Sequence, residues 1–187
     1  MNDVIDIFRK SGALLQGHYR LTSGLHSPTY FQCALVLQYP QYCQLLGQKI
    51  VDHFIQYKID AVLSPAIGGI VIGQEVGRQL GIRTIFSERQ GHEMELRRGF
   101  KIQPDERILV CEDVVTTGGS VFEVLDLIKQ NNAQAIGVGY IVDRSNGKIH
   151  FGVRQFSIIQ LDIEVYQPGS CPLCKDNIPI VKPGSRL

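Results

Sequence analysis

The sequence of 187 residues has no tryptophan, only 2 methionines and no marked excess of either charge. Its 19 Lys and Arg residues are nearly balanced by 18 Asp and Glu residues, which leaves a formal net charge of +1. A broad nucleic-acid-binding surface requires clustered basic residues. The balance therefore excludes nucleic acid as a partner bound in that way, and it leaves room for a small anion at one focused site.

Long apolar runs are also missing. No run approaches the roughly 18 apolar residues that a membrane-spanning helix needs, so no membrane partner is expected. The first residues, which include Asp3 and Asp6, do not resemble a secretory signal. The 5 cysteines are an odd number and widely spread, which does not suit a disulfide framework. The expected location is therefore a reducing cytoplasm.

The amino-acid composition supports one folded domain over residues 1–187. Its 44% hydrophobic and 20% charged residues suffice for a sizeable core. Over about 1–35 we predict an opening helix, to about residue 15, and two short strands around turns at Ser23-Gly24 and Ser27-Pro28. An irregular tail covers about 167–187 and holds half of the 8 prolines, namely Pro168, Pro172, Pro179 and Pro183.

Between these ends, helical and strand-like patterns alternate. Pro40 suits the first position of a helix in which Cys43, Leu46, Ile50 and Phe54 recur at helical spacing. The most regular unit is the strand RILVCED, the loop VVTTGGS, a helix and the strand AIGVGYIV. Such alternation predicts an α/β fold with a mostly parallel central sheet flanked by helices. The polar segment 87–101 interrupts the rhythm, either as a solvated hairpin or as a functional loop.

The strongest chemical signal is the segment ILVCEDVVTTGGS. Ligands of an open parallel sheet lie beyond the carboxyl ends of its strands. There the start of a helix offers backbone N–H groups and glycines to an anion, as a cradle for one phosphate. Its residues are Thr116, Thr117, Gly118, Gly119 and Ser120. No Lys follows the glycines, which excludes a Walker loop, and the glycine spacing does not suit a dinucleotide fingerprint.

Two acids, Glu112 and Asp113, precede this cradle although carboxylates repel phosphate. An isolated pair of this kind is most often a helix cap and a surface acid. Alternatively, the ligand is a sugar phosphate. The carboxylates would then accept hydrogen bonds from adjacent ribose hydroxyls and stabilise positive charge on the sugar ring.

The segment ILVCEDVVTTGGS consists of an apolar strand, two acids, two apolar residues and TTGGS. In this it resembles the 5-phosphoribosyl 1-diphosphate motif of the type I phosphoribosyltransferase family. The likeness to its orotate-specific branch extends over nearly the full length, through LTSGLHSPTYFQC, SPAIGGIVIG, SERQGHEMELRRGF, VDR, CPLC and KPGSR. The resemblance implies the type I phosphoribosyltransferase fold, with a small hood region near the N-terminus and a mobile lid loop. It also implies a homodimer in which the lid is shared across subunits.

The implied reaction transfers the 5-phosphoribosyl group of 5-phosphoribosyl 1-diphosphate to N1 of orotate in pyrimidine biosynthesis. The products are orotidine 5-monophosphate and diphosphate. Mg²⁺ is the implied cofactor, held mainly by the substrate's own oxygens, and no protein side chain is expected as a metal ligand.

By the same resemblance, Glu112 and Asp113 would hold the ribose, and the TTGGS residues would bind the 5-phosphate. Arg144 would bind the orotate carboxylate, for which its planar fork is suited. Seen alone, Arg144 would be a surface charge at a strand end. The remaining matches are an aromatic pair against the pyrimidine (Tyr30 and Phe31) and the turn near the diphosphate (Ile67, Gly68 and Gly69).

The segment 87–100 matches the lid, which excludes water from the activated sugar. Its candidate ligands are Arg89, His92, Arg97 and Arg98. Family lids generally carry a catalytic Lys, but this segment has none. Gln90 stands where a Lys is common, and Lys101 lies beyond. The general acid is therefore open, with His92 as one candidate.

Two other functions fit the sequence less well. A regulator that binds the sugar diphosphate without transferring it would need no orotate-type residues, and an enzyme for a purine or uracil would have no use for Arg144. The pair Cys171 and Cys174 has neither a second cysteine pair nor a histidine cluster nearby in the sequence, so zinc would have to be shared across a dimer. A redox role would need the pair at a helix start beside a sheet, which the tail is not expected to offer.

Overall fold

A computed structural model describes residues 2–21, 23–91 and 93–182. The chain divides into two compact units. The first comprises Met1–Gln38 and Asp162–Leu187, and the second comprises Tyr39–Leu161. The assignment of the whole chain to one domain stays a prediction.

The secondary structure alternates as expected, with the following elements in chain order: α1 (Asn2–Lys10), β1 (Leu14–Arg20), β2 (His26–Phe31), α2 (Cys33–Leu37), α3 (Pro40–Phe54), β3 (Ala61–Pro65), α4 (Gly68–Leu80), β4 (Arg83–Gln90), β5 (Glu93–Leu96), β6 (Arg107–Val115), α5 (Gly119–Gln130), β7 (Gln134–Asp143), β8 (Arg154–Gln160) and α6 (Pro172–Lys175). A single 3₁₀ turn, Pro168–Ser170, precedes α6. In the part of the chain described, no helix has both the length and the apolar character to cross a bilayer.

The first unit is built on a two-stranded antiparallel sheet of β1 and β2. The ring of Phe8 on α1 packs edge-on against Phe31 on β2, with 4.6 Å between their centroids. The helix predicted to continue to residue 15 ends earlier, because Gly12 adopts a left-handed φ of +69° and β1 then begins. The turn predicted at Ser27-Pro28 is wrong, since both residues lie within β2, where an edge strand tolerates proline.

The second unit contains a six-stranded sheet in the order β5-β4-β3-β6-β7-β8. All neighbouring pairs are parallel except β4 and β5. Leu63 on β3 belongs to the apolar cluster that includes Val121 and Val124 of α5. A Cβ on Gly73 of α4 would overlap the adjacent Ser64 hydroxyl. Because successive strand residues face opposite sides, α4 and α5 cover opposite faces of the sheet.

The chain leaves the two central strands in opposite directions. After β3 it passes through α4 to β4 on one side, and after β6 it passes through α5 to β7 on the other. The carboxyl ends of β3 and β6 are therefore adjacent at a topological switch point. In open α/β sheets this is where a crevice for a ligand forms.

The segment 87–100 is largely a hairpin. β4 continues to Gln90 and pairs with β5, with Arg89 opposite Met94, and Gly91 turns the chain at φ +62°. The pairing satisfies the backbone of a polar segment, while Met94 joins the apolar core. Of the two sequence interpretations, the solvated hairpin therefore describes the backbone, and the predicted movement of a lid stays a prediction.

Asp60 ties β3 to β6 at the end opposite the crevice. Its carboxylate accepts hydrogen bonds from the Arg107 guanidinium, each 2.8 Å long, and from the Arg107 backbone N–H at 3.0 Å. These bonds lower the pKa of Asp60 from 3.8 to about 2. A depressed carboxyl pKa stabilises the fold above the unfolded-state pKa, and this contribution is lost as the pH falls toward 2.

Asp60→Asn should therefore lower the free energy of unfolding at pH 7, because the variant loses the charged hydrogen bonds to Arg107. The difference from wild type should shrink as the pH falls through 4 toward 2 and then vanish, which urea unfolding at several pH values can measure. Asp126→Asn on the exposed side of α5 is the matched control. A difference that does not change with pH would contradict this role of Asp60.

Candidate active site

The acid pair at the end of β6 lies directly against the start of α4. A Cβ on Gly68 would come within 2.5 Å of the Asp113 carboxylate. One on Gly69 would lie 2.8 Å from the Cys111 carbonyl oxygen and 3.0 Å from Glu112 Oε1. Only glycine permits this approach, so the two loops that the sequence analysis singled out meet in space.

Each carboxylate of the pair is oriented by the backbone. Glu112 Oε1 accepts the Asp113 N–H at 3.0 Å, and Asp113 Oδ1 accepts the Val114 N–H at 2.8 Å. Burial raises the pKa of Asp113, while the hydrogen bonds from Glu112 and the backbone oppose the rise. Oriented carboxylates in a site of low polarity are strong hydrogen-bond acceptors and interact strongly with positive charge.

The TTGGS loop forms an open turn at the start of α5. Thr116 and Thr117 are exposed, and Gly118 takes a left-handed φ of +74° as the residue before the helix. A Cβ on Gly118 would lie 2.9 Å from the Phe151 ring and 3.0 Å from Ile149, so packing as well as backbone conformation requires glycine. A Cβ on Gly119 would meet only Thr117 Oγ1 at an ordinary 3.8 Å. Packing of the protein therefore does not explain Gly119.

The helices α4 and α5 begin in the same way. Among the described residues, neither start has a side-chain cap hydrogen bond, and neither first turn holds an acidic residue. The first N–H groups of a helix have no acceptor within the helix, and the helix dipole favours negative charge there. The crevice is thus flanked by two helix starts suited to anions.

Arg144 follows β7 and is joined to the same crevice through its backbone. Its N–H donates to the Val115 carbonyl at 2.8 Å, which places it beside the beginning of the TTGGS loop. The buried Asp143 shapes the turn after it by accepting bonds from the Ser145 N–H and hydroxyl, both at 2.7 Å. This function of Asp143 was not predicted, although an Asp two residues before Ser145-Asn146-Gly147 is a signal for such a turn.

The hairpin arginines differ in their surroundings. Arg89 forms an ion pair with Glu123 in the first half of α5, so the hairpin reaches the helix that begins at the phosphate cradle. Arg98 forms two hydrogen bonds with Glu88, of 2.7 and 2.9 Å, which hold the Glu88 pKa below its usual range. Arg97 is exposed.

The remaining predicted site residues belong to different parts of the chain. Tyr30 and Phe31 belong to the first unit, where Phe31 is buried against Phe8 and Tyr30 packs near Tyr19. His92 lies outside the described residues. The exposed Ile67 lies just before α4, in the turn that approaches Asp113.

The tail cysteines differ from expectation on two points. Cys171 immediately precedes α6, so the pair does lie at the start of a short helix. His18 and His26, distant in sequence, lie beside Cys171 and Cys174. The expectation that no histidines accompany the pair was based on sequence neighbours and is wrong in space.

A switch point with oriented carboxylates on one strand and two uncapped helix starts beside them defines an α/β protein that binds a phosphorylated sugar. A family model described as the phosphoribosyl transferase domain matches residues 41–151. An orotate phosphoribosyltransferase from Chlorobium phaeobacteroides (strain BS1) is 57% identical over 183 residues, covering 98% of this chain and 95% of the relative. The chain belongs to the phosphoribosyltransferase family, in its orotate phosphoribosyltransferase branch.

Further comparisons agree with this assignment. An orotate phosphoribosyltransferase from Caldanaerobacter subterraneus subsp. tengcongensis is 53% identical, covering 98% of this chain and 96% of the relative. The crystal structure of orotate phosphoribosyltransferase from Aeropyrum pernix superposes with a TM-score of 0.74 at 22% identity, covering 84% of this chain and 93% of that chain. The structural likeness confirms the predicted α/β fold with its mostly parallel sheet.

Gly119→Ala tests whether the cradle holds a phosphate. Since the added methyl group fits sterically, the free energy of unfolding should stay equal or rise slightly. The Kd for 5-phosphoribosyl 1-diphosphate should nevertheless rise about 10-fold or more, because the methyl group displaces the anion. Titration calorimetry measures the Kd.

Gly118→Ala is the contrasting variant. It should lose about 1–3 kcal/mol of folding stability through overpacking and backbone strain. Unchanged binding in a folded Gly119→Ala variant would contradict the cradle.

Proposed function

We propose that the protein transfers the 5-phosphoribosyl group of 5-phosphoribosyl 1-diphosphate to N1 of orotate, yielding orotidine 5-monophosphate and diphosphate. The observation that carries the proposal is the contact of the Glu112–Asp113 pair with the start of α4, beside the open start of α5. This arrangement supports the proposal, because two carboxylates suited to accept from ribose hydroxyls lie between two helix starts suited to phosphate groups. The high identity to proteins named orotate phosphoribosyltransferase supports orotate as the acceptor.

Different residues would bind different parts of the substrate. The N–H groups of residues 117–120 and the hydroxyls of Thr116, Thr117 and Ser120 would hold the 5-phosphate. The start of α4 at Gly68 and Gly69 would face the diphosphate. Both anions would be bound mainly by fixed dipoles, which need no reorganisation during the reaction.

Glu112 and Asp113 would act on the ribose between these anions. Their carboxylates would accept hydrogen bonds from the ribose hydroxyls and fix the ring relative to the incoming N1. As the bond to diphosphate weakens, positive charge develops on the ring, and the two carboxylates stabilise it. The backbone hydrogen bonds to Glu112 Oε1 and Asp113 Oδ1 keep the pair oriented for this purpose.

The site fits the implied Mg²⁺ cofactor. Mg²⁺ prefers oxygen ligands and retains several from water and substrate, so the substrate's own oxygens would hold most of the ion. The Glu112 and Asp113 carboxylates lie against the start of α4 and would add negative charge near the ion without ligating it. When bound, Mg²⁺ would neutralise the leaving diphosphate.

Orotate differs from neutral bases by its carboxylate, which Arg144 would bind with its guanidinium fork. The turn capped by Asp143 holds the Arg144 backbone in place. Tyr30 would pack against the pyrimidine, whereas the burial of Phe31 against Phe8 suits a supporting position.

The hairpin 87–100 would act as the lid. Arg89, His92, Arg97 and Arg98 are its proposed ligands, and Arg97 is exposed. The lid would exclude water from the activated sugar. A homodimer that shares this hairpin and a cytoplasmic location complete the proposal, on the family resemblance and the cysteine content respectively.

Incubation with orotate, 5-phosphoribosyl 1-diphosphate and Mg²⁺ should consume orotate. The loss of the ultraviolet absorbance of orotate measures this reaction directly. Turnover with hypoxanthine, adenine or uracil but not with orotate would contradict the proposed acceptor. Binding of the sugar diphosphate without turnover of any base would favour a regulator.

Arg144→Ala should raise the KM for orotate about 10-fold or more and change the KM for the sugar diphosphate much less. Arg144→Lys should recover only part of the loss, because an ammonium group lacks the planar fork. Arg154→Ala, which removes an exposed arginine stacked over Tyr57, is the matched control. Equal effects on both KM values would exclude carboxylate recognition by Arg144.

A further inference from the structure

Four side chains of the first unit point their metal-binding atoms at one spot. His18, His26, Cys171 and Cys174 each contribute one nitrogen or sulfur atom, and these atoms all lie within 4.8 Å of one another. The two histidines lie on β1 and β2, Cys171 immediately precedes α6, and Cys174 lies within α6. The proposed phosphoribosyl transfer gives none of the four a function.

The interatomic distances suit a tetrahedral ion. Zinc–sulfur bonds of about 2.3 Å and zinc–nitrogen bonds of about 2.05 Å place tetrahedral S and N ligands about 3.5 Å apart. His18 Nε2 lies 3.6 Å from Cys171 Sγ and 3.7 Å from Cys174 Sγ. Cys174 Sγ lies 3.3 Å from His26 Nδ1, and the two ring nitrogens are 2.9 Å apart. Small movements of the rings would give the ideal geometry.

The outer hydrogen bond of His18 strengthens the case. Its other ring nitrogen, Nδ1, lies 2.7 Å from the Ile178 carbonyl oxygen, which can only accept. Nδ1 therefore donates, and in the neutral ring Nε2 is left with a lone pair directed at the cluster. A histidine oriented in this way by a backbone carbonyl is characteristic of metal ligation.

The burial and charge of the cluster also suit zinc. His18, His26 and Cys171 are buried, whereas Cys174 is exposed and offers an entry path. The two negative charges of the thiolates would balance the two positive charges of Zn²⁺, so the buried site would be neutral. Two sulfur and two imidazole ligands fill all four positions around the ion, as in structural zinc sites. A catalytic zinc site would keep one position open for water or substrate.

We propose that the protein binds one structural Zn²⁺ ion through His18 Nε2, His26 Nδ1, Cys171 Sγ and Cys174 Sγ. All four ligands come from one chain. The histidines on β1 and β2 and the cysteines of the tail are 145–156 residues apart in sequence. The ion would be a cross-link that holds the tail on the sheet of β1 and β2.

The backbone around the cluster already joins the same two segments. The Arg20 N–H donates to the Val181 carbonyl, and the Val181 N–H donates to the His18 carbonyl, both at 2.8 Å. His26 forms a bridge with Tyr166. A metal ion would add a side-chain cross-link to these backbone bonds.

The test begins with the full-length chain purified without chelator. Mass spectrometry of metals should find about one zinc per chain, as a four-ligand site requires. After exchange, Co²⁺ should give the visible bands of a tetrahedral site and thiolate-to-cobalt charge transfer. A chelator should lower Tm by about 5 °C or more.

Cys174→Ser is the decisive variant, because its exposed side chain allows folding without the metal. It should weaken zinc binding about 100-fold or more, weaken the charge-transfer band and leave Tm insensitive to chelator. Cys43→Ser, which removes a thiol from α3, should keep the zinc.

Three outcomes would overturn the proposal: wild type that binds neither zinc nor cobalt through thiolates, zinc content unchanged in Cys174→Ser, or a Cys171–Cys174 disulfide whose reduction yields no zinc binding. None of these outcomes depends on orotate turnover, so failure of the zinc site is distinguishable from failure of the proposed reaction.

Discussion

The parallel pairing of β3 with β6 is the constraint on which the candidate site depends. Because the chain leaves these strands in opposite directions, their carboxyl ends stay uncovered side by side. The pairing brings Gly68 against Asp113 and opens both helix starts toward one crevice. Asp60 and Arg107 secure the same pair of strands at the opposite end. The geometry of the site is thus a consequence of strand order.

The site explains how a protein of net charge +1 can handle a polyanion. The acid pair would bind the ribose and stabilise the developing cation, whereas the phosphates would meet backbone dipoles. Much of the arginine charge of the hairpin is already balanced, since Glu88 engages Arg98 and Glu123 engages Arg89. Neutralisation of the diphosphate would then fall largely to Mg²⁺ and to exposed Arg97.

Local patterns made the central part of the fold and the phosphate cradle predictable. The TTGGS sequence after an apolar strand itself predicts an anion site at a helix start. The spacing of Val121, Val124 and Ile128 matches the buried side of α5. Other features depend on partners far away in sequence. The hairpin of β4 and β5 was only one of two interpretations of its segment, because the polar residues of β5 conceal the inward alternation of Met94 and Leu96. The histidines beside Cys171 lie more than a hundred residues away, as only the return of the tail to β1 and β2 brings them together.

The central claim is that the adjacent ends of β3 and β6 hold the sugar between two anion sites. A crystal structure of the protein with 5-phosphoribosyl 1-diphosphate and Mg²⁺ tests it most directly. We expect the 5-phosphate on the N–H groups of residues 117–120, the ribose hydroxyls against Glu112 and Asp113, and the diphosphate toward Gly68 and Gly69. A substrate bound elsewhere, or one whose ribose does not contact either carboxylate, would contradict the account.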